Sequence, residues 1–270
     1  SDPVSSLVVP EHLLQQAKFP FIDVHNHQYN MISSLDGLVK DMDRLNMQVM
    51  VNLSGGSGNS LKKMADAAKG RYPGRFIIFA NLNYSGIGTS EWTDNAVRQL
   101  REDVQNGANG LKVFKDLGFS VKDQSGRRVT VDDPRLDAIW DECARLKIPV
   151  LIHTADPKQF WEPMDLKNER LLELETHPGR RRGNDQPAPW LTLIGEQHNM
   201  FKKHPATTFI AAHFGWYAND LGHLDSLLTA MPNVVVEFGA VIAELGRQPR
   251  AAADFFAKYQ DRILFGKDSW

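Results

Sequence analysis

Features that would point to several protein classes are scarce in this sequence. It contains one cysteine, Cys143, so it cannot form an internal disulfide, and the helical pattern around this residue indicates that the thiol packs in a core. Its 31 Lys and Arg residues nearly balance 33 Asp and Glu residues, which gives a formal net charge of -2. Because no basic field results, neither nucleic acid nor an anionic membrane is a predicted partner.

Long apolar runs are also missing. No run approaches the roughly 20 residues of a membrane-spanning helix, and the N-terminus lacks the basic and then apolar pattern of a signal peptide. We therefore expect a cytoplasmic protein, with an exported protein whose signal has been removed as the alternative. The apolar fraction of 42% and the charged fraction of 24% are those of an ordinary globular domain, and a homo-oligomer is left open.

Short apolar runs rich in valine, isoleucine and phenylalanine alternate with segments of helical periodicity along the whole chain. The runs cover residues 20–25, 48–53, 75–81, 110–115, 149–153, 207–213, 233–238 and 262–268. Local signals predict one helix from Asp133-Pro134 to about Lys147 and the end of another helix at Gly70.

This alternation predicts a closed barrel. Parallel strands that are buried on both faces have nearly continuous apolar sequences, and eight strand and helix units are the number in a (β/α)8 TIM barrel. We therefore predict an α/β protein with one domain over residues 1–270. An open doubly wound sheet is the alternative, but no glycine-rich dinucleotide fingerprint follows the first run.

Two segments depart from a regular barrel. The connection between the fifth and sixth runs is much longer than the others, and we predict that residues 156–200 form an insertion that acts as a lid over a substrate. A solvated excursion kept soluble by its basic triplet, Arg180 to Arg182, is the alternative. The sequence also stops at Trp270, shortly after the eighth run, so it contains no segment for an eighth helix.

Polar residues end four of the apolar runs. The first run leads into His25 and His27, whose side chains project the same way because strand residues alternate between faces. His153 ends the fifth run, His213 the sixth and Asp268 the eighth. Active sites of such barrels lie at the C-terminal strand ends, where these residues would meet. Any one of the histidines alone is more often structural, but one divalent metal would satisfy all five side chains together.

With these residues in place, the sequence resembles the amidohydrolase superfamily from its first-strand His-x-His pair to the Gly-Lys-Asp-Ser sequence at 266–269. The pattern is similar to the branch that includes aminocarboxymuconate semialdehyde decarboxylase and related hydrolases. This resemblance implies a metal site formed by His25, His27, His153 and Asp268, holding one divalent ion, usually zinc, with manganese or iron as alternatives. It also implies that His213 acts in proton transfer or polarises the substrate.

Lys112 leaves the number of metal ions open. In binuclear relatives, a carboxylated lysine on the fourth strand bridges two ions, and the sixth-strand histidine binds the second ion. Lys112 and Lys115 face opposite sides of the fourth run, so one of them can point into the barrel. We expect a mononuclear site in which Lys112 is a catalytic residue, a cation that faces the substrate.

This set of residues predicts a hydrolase. A metal held by three histidines and a carboxylate keeps a position for water, lowers the pKa of that water and polarises the substrate. Asp268 could take up the water proton, and His213 could stabilise a developing oxyanion. We predict hydrolysis of an amide, lactone or ester bond in a small anionic molecule. The alternatives are non-oxidative decarboxylation of an aromatic or unsaturated carboxylate, and a non-catalytic metal-binding barrel.

Overall fold

The computed structural model describes residue 10 and residues 12–270, and its eight strands form one parallel sheet in sequential order. The strands are β1 (Phe21–Asn26), β2 (Met47–Asn52), β3 (Phe76–Asn81), β4 (Gly110–Val113), β5 (Val150–Ile152), β6 (Phe209–Ala211), β7 (Val234–Glu237) and β8 (Ile263–Leu264). The chain after β8 returns to β1, where the His27 amide donates to the Ser269 carbonyl at 2.7 Å. The predicted (β/α)8 barrel is confirmed.

Helices follow the strands and cover the outside of the barrel. They are α1 (Met31–Leu45), α2 (Gly58–Arg71), α3 (Trp92–Gln105), α4 (Asp116–Phe119), α5 (Asp137–Leu146), α6 (Leu171–Thr176), α7 (Trp190–Lys203), α8 (Leu221–Ala230), α9 (Ile242–Gly246) and α10 (Pro249–Lys258). Short 3-10 segments lie at Pro134–Leu136, Lys158–Phe160, Pro178–Arg180 and Ala212–Trp216. Within the described residues, no helix has the length and apolar character needed to cross a membrane.

Local sequence signals predict two helix ends to within one residue. The Asp133 side chain accepts a hydrogen bond from the Arg135 amide, and the 3-10 turn at Pro134–Leu136 leads into α5, which ends at Leu146 with Lys147 as its left-handed C-cap. The predicted helix end at Gly70 is one residue early, because α2 ends at Arg71. Gly70 therefore lies in the last turn of α2 and not at a left-handed position after it.

Apolar residues form one core inside the barrel and a larger one between the strands and the helices. The inner cluster contains Val51, Leu53, Phe79, Leu151, Ile210 and Ala212. On β4, Leu111 and Val113 belong to the outer core, so the alternate residues Gly110 and Lys112 face the barrel interior. A Cβ atom at Gly110 would lie 2.4 Å from the Phe79 ring, which explains the glycine there.

The long connection after β5 contains both an excursion and a regular barrel helix. Residues 156–189 leave the barrel, whereas α7 returns to it and packs between β5 and β6. Arg182 pairs with Asp156 at 2.8 Å within the excursion. Two ion pairs fasten the excursion to the body: Lys115 contacts Asp156 at 2.6 Å, and Arg170 contacts Glu244 of α9 at 2.5 Å. A role as a lid stays a prediction.

A buried carboxylate links two helices of the outer layer. The Glu142 side chain on α5 is only 5% exposed and accepts hydrogen bonds from Arg101 of α3 at 2.8 and 3.0 Å and from Arg145 on its own helix. The hydrogen bonds from Arg145 and then Arg101 lower the pKa of Glu142 from 4.5 to about 2.

We predict that Glu142→Gln lowers the free energy of unfolding at neutral pH by about 1–2 kcal/mol, since charged hydrogen bonds are lost but both guanidinium groups are partly solvated. A lowered folded-state pKa stabilises the protein above the unfolded value of 4.5, and this stabilisation is lost as the pH falls toward 2. The difference between wild type and variant should therefore shrink in acid. Urea unfolding at several pH values measures it, and a constant difference would contradict the prediction.

Candidate metal centre

Three ligand-type atoms meet at the C-terminal end of the barrel. The Nε2 atoms of His25 and His27 lie 3.1 Å apart, and the Oδ1 atom of Asp268 lies 3.3 Å from the first and 3.5 Å from the second. Ligands at about 2.0–2.1 Å from a tetrahedral ion are separated by roughly 3.4 Å. The spacing of these three atoms therefore suits a divalent metal of the zinc type.

The protonation pattern also suits a cation. Nδ1 of His25 lies 2.8 Å from the Glu237 carboxylate, which can only accept, so this nitrogen carries the proton and Nε2 carries a lone pair. Nδ1 of His27 lies 2.9 Å from the Ser54 hydroxyl, which leaves Nε2 of His27 free to face the centre. The Ser54 hydroxyl can donate or accept, so Nε2 of His27 either donates to Nε2 of His25 at 3.1 Å or carries a second lone pair beside it. The second tautomer is the one that binds a cation.

Burial keeps the imidazoles neutral. It is the largest cause of the lowered pKa values of His25 (about 3), His27 (about 4) and His213 (about 4), and the nearby Lys112 ammonium lowers all three further. The pKa of His153 is likewise lowered by burial, with His213 as the next cause. Neutral imidazole is the form that binds a metal, so the whole cluster is ready for one at neutral pH.

His213 and His153 form a pair beside the first three ligands. Nδ1 of His213 donates to the Gly239 carbonyl at 2.7 Å, so its Nε2 atom has a lone pair and accepts from Nδ1 of His153 at 3.3 Å. Nε2 of His153 is then left with a lone pair, and it is buried without a partner among the described residues. In this tautomer, His213 accepts a proton and cannot donate one to an oxyanion.

Two ligand sets are compatible with this geometry. The sequence predicts His25, His27, His153 and Asp268. Three of them meet at 3.1–3.5 Å, whereas His153 contacts this group through His213, at 3.3 Å. His25, His213 and Asp268 also offer ligand atoms that lie within 4.8 Å of one another. The assignment of ligands therefore stays a prediction, whereas the convergence of all five strand-end residues is a feature of the structure.

Glu237 is a site residue that the sequence analysis missed. It is fully buried at the end of β7 and accepts from the His25 ring, from the His213 amide at 2.8 Å and from the Gly239 amide at 2.6 Å. Gly266 makes room for it, since a Cβ atom there would lie 2.4 Å from a Glu237 oxygen. The sequence did contain a signal for this residue. Glu237 is a charged residue that ends the apolar run at residues 234–236, and a carboxylate buried there requires hydrogen-bond partners.

Several residues near the centre have left-handed backbone conformations, which residues other than glycine rarely adopt. His213, Phe214, Gly215 and Trp216 have φ angles of 58°, 56°, 57° and 61°, and Asp268 has a φ of 63°. Such a conformation costs roughly 1–2 kcal/mol for each residue other than glycine. This turn directs the His213 ring inward and stacks the Trp216 ring on it, with centroids 4.7 Å apart. Strain of this kind concentrates at functional sites.

Lys112 points into the barrel but is 1% exposed, and its Nζ atom has no hydrogen-bond partner among the described residues. Burial lowers its pKa to about 8, although Glu237 and Asp268 act in the opposite direction. Its predicted catalytic role is not tested by the structure. The cations that line the cleft above the candidate metal centre are instead Lys115, Arg170 and Arg180.

The cleft has a volume of about 320 Å³ and is lined by His153, His213 and Asp268 together with residues of the 156–189 excursion. Its charged lining residues are Lys115, Asp156, Arg170, Glu173, Arg180 and Asp268. Lys115 pairs with Asp156 at 2.6 Å and Arg180 with Glu173 at 2.6 Å, so positive charge in the cleft is largely offset. To bind these cations, an anionic substrate would have to displace their present carboxylate partners, Asp156 and Glu173.

Comparisons with known proteins agree with this architecture. The amidohydrolase family model matches residues 22–269, whereas no curated protein matches the sequence. The 2,6-dihydroxybenzoate decarboxylase from Rhizobium is similar, with a TM-score of 0.57, 17% identity, and coverage of 94% of this chain and 88% of that one. An uncharacterised TIM-barrel protein from Bordetella bronchiseptica has a TM-score of 0.56 and 16% identity, with coverage of 93% and 84%.

The 4-oxalomesaconate hydratase from Rhodopseudomonas palustris is similar at a TM-score of 0.54 and 16% identity, with coverage of 91% of this chain and 80% of that one. At such identities the structural likeness supports the barrel fold alone. The family match confirms the resemblance that the sequence motifs indicated.

We predict that Glu237→Gln weakens divalent metal binding by about 10–100-fold, because an amide orients the His25 ring less strongly than a carboxylate does. Competition with a fluorescent zinc chelator measures the affinity. Glu244→Gln is the matched control, since Glu244 is also buried but pairs with Arg170. Equal zinc affinity in wild type and Glu237→Gln would show that the buried carboxylate does not support the metal ligands.

Proposed function

The chain belongs to the amidohydrolase family, and on this basis we propose that it is a metal-dependent hydrolase of an amide, lactone or ester bond in a small molecule. The observation that carries the proposal is the convergence of His25, His27 and Asp268 at ligand spacing below an open cleft. In this proposal, these three residues and His153 hold one divalent ion, with zinc as the first choice. Such an ion supplies a water of lowered pKa and polarises the substrate carbonyl.

Asp268 is placed to move the proton. Its side chain is 22% exposed and lines the cleft, and its Oδ2 atom lies 4.0 Å from Nε2 of His213. The carboxylate accepts a proton as water attacks and delivers it to the leaving nitrogen or oxygen. Nε2 of His213 becomes a second acceptor beside it when the hydrogen bond from Nδ1 of His153 opens. The Trp216 ring, stacked on His213, keeps water away from one side of the reacting groups.

Decarboxylation is the second candidate, and the cations of the cleft favour it. The side chains of Lys115 and Arg180 are 41% and 52% exposed and could bind a carboxylate that is about to be lost. A structurally similar protein is named 2,6-dihydroxybenzoate decarboxylase. In this reaction a carbon–carbon bond breaks, carbon dioxide leaves and the ring or alkene carbon takes a proton.

Isotope labelling separates the two reactions. The metal-loaded protein is incubated in ¹⁸O-water with lactones, esters and N-acyl compounds, and in parallel with aromatic and unsaturated carboxylates. We expect one solvent oxygen in the organic product of a compound from the first group. Carbon dioxide release from the second group, with no ¹⁸O in the organic product, would replace hydrolysis by decarboxylation.

We predict that His213→Asn keeps one divalent ion per chain and lowers kcat by about 100-fold or more, since a proton acceptor is lost while the ligands stay. Elemental analysis gives the metal content, and His223→Asn, at an exposed histidine of α8, is the control. Loss of the ion from His213→Asn would make His213 a ligand. A wild-type protein that binds the ion and turns over neither substrate group would be the non-catalytic barrel.

A further inference from the structure

A second cavity lies on the outer side of the barrel, beside the loop between β2 and α2. It has a volume of about 260 Å³ and shares no lining residue with the cleft above the metal centre. Its walls come from the loop, from the chain after β3 and from α3, with Asp103 as the charged residue among them. Nothing in the proposed reaction uses this cavity.

Asp103 brings a buried carboxylate to this cavity. The residue is 1% exposed, and its Oδ1 atom accepts from the Gly58 amide at 2.6 Å and from Nε2 of Gln99 at 3.1 Å. The Oδ2 atom accepts no hydrogen bond from any residue that the structure describes. Burial raises the pKa of Asp103 above its usual value, because the two hydrogen bonds compensate its charge only in part. A cation at Oδ2 would complete the compensation.

The rest of the lining is mostly polar, with one apolar wall. Its uncharged polar residues are Ser57, Asn81, Asn83, Ser85, Thr89, Asn95 and Gln99. Gln99 uses its amide nitrogen on Asp103, which leaves its carbonyl oxygen free to accept. The Trp92 ring is 5% exposed and is held in place because its indole nitrogen donates to the Asn83 carbonyl at 3.1 Å. The apolar lining residues are Ala80, Leu82, Trp92, Ala96, Leu100 and Leu111. A ligand here therefore needs a positive donor group and a short apolar part.

The volume of the cavity favours an organic cation over a bare metal ion as its ligand. A volume of 260 Å³ equals the space of roughly nine water molecules in the liquid. A metal ion bound to one carboxylate would leave most of this space unfilled. A carbon chain of a few atoms would fill it and bury the apolar wall, which adds about 0.8 kcal/mol for each methylene group.

We propose that this cavity is a binding site for a small organic cation, in which a primary ammonium or guanidinium group pairs with Asp103 and a short aliphatic chain packs on Trp92 and Leu100. The site is separate from the metal centre. Its occupancy does not depend on which reaction the protein catalyses.

Isothermal titration calorimetry with n-butylammonium, n-butylguanidinium and n-butanol tests the proposal on the full chain. We expect saturable binding of at least one cation at one site per chain, and binding of n-butanol about tenfold weaker or worse, because only the cations form a charged hydrogen bond. Equal binding of the alcohol and both cations, or no binding of either cation, would overturn the proposal.

Three variants test whether the cation binding measured by calorimetry takes place in this cavity. Asp103→Asn should weaken cation binding by about tenfold or more, whereas Glu102→Gln removes an exposed carboxylate from the same helix and should leave it unchanged. Because Asp103 also caps α2, thermal unfolding must show that the first variant is folded. Ala96→Phe fills the cavity without touching the carboxylate and should abolish binding, and cation binding that survives in Ala96→Phe would place the ligand elsewhere.

Discussion

One buried carboxylate determines how the metal centre is arranged. Glu237 has no exposure to solvent, and it accepts hydrogen bonds from the His25 ring of β1 and from the backbone amides of His213 and Gly239. In an interior of low dielectric constant, such charged hydrogen bonds are strong, and a missing partner would be costly. The carboxylate therefore fixes the tautomer of one candidate ligand and the position of another, and it connects three strands while doing so.

The strained backbone at the same end of the barrel depends on this support. His213 and Asp268 both have positive φ angles, and the turn after β6 keeps four successive residues in the left-handed region. The hydrogen bond from the His213 amide to Glu237 and the full burial of Phe214 stabilise the turn. Without them, the chain would relax toward ordinary angles and the His213 ring would leave the cluster. Packing and polar contacts thus maintain a geometry that local preference opposes.

The sequence predicted the barrel and the convergence of its histidines because both follow from periodicity. Apolar runs of strand length identify buried parallel strands, and strand ends on one face must meet when the sheet closes. Asp268 was found for the same reason, as a carboxylate after the eighth run. These features depend on spacing along the chain and therefore need no knowledge of distant partners.

What the sequence did not reveal depends on tertiary contacts. Glu237 ends an apolar run, but two of its partners, His25 and His213, come from distant parts of the chain. The proton position on His213 is set by the Gly239 carbonyl, which no local pattern indicates. The alternation of side chains along β4 allowed either Lys112 or Lys115 to face the barrel interior. The packing of Leu111 and Val113 in the outer core determines that Lys112 does. The cavity at Asp103 arises from three separate segments.

The joint between the first and last strands has a wider consequence. The Asp268 amide donates to the His25 carbonyl at 2.8 Å, so the two residues that offer ligand atoms also form the hydrogen bonds that complete the cylinder. If a divalent ion binds between them, as proposed, it joins the two sides of that seam. Affinity for the ion and the free energy of unfolding are then thermodynamically coupled, so loss of the ion would lower the stability of the closed barrel.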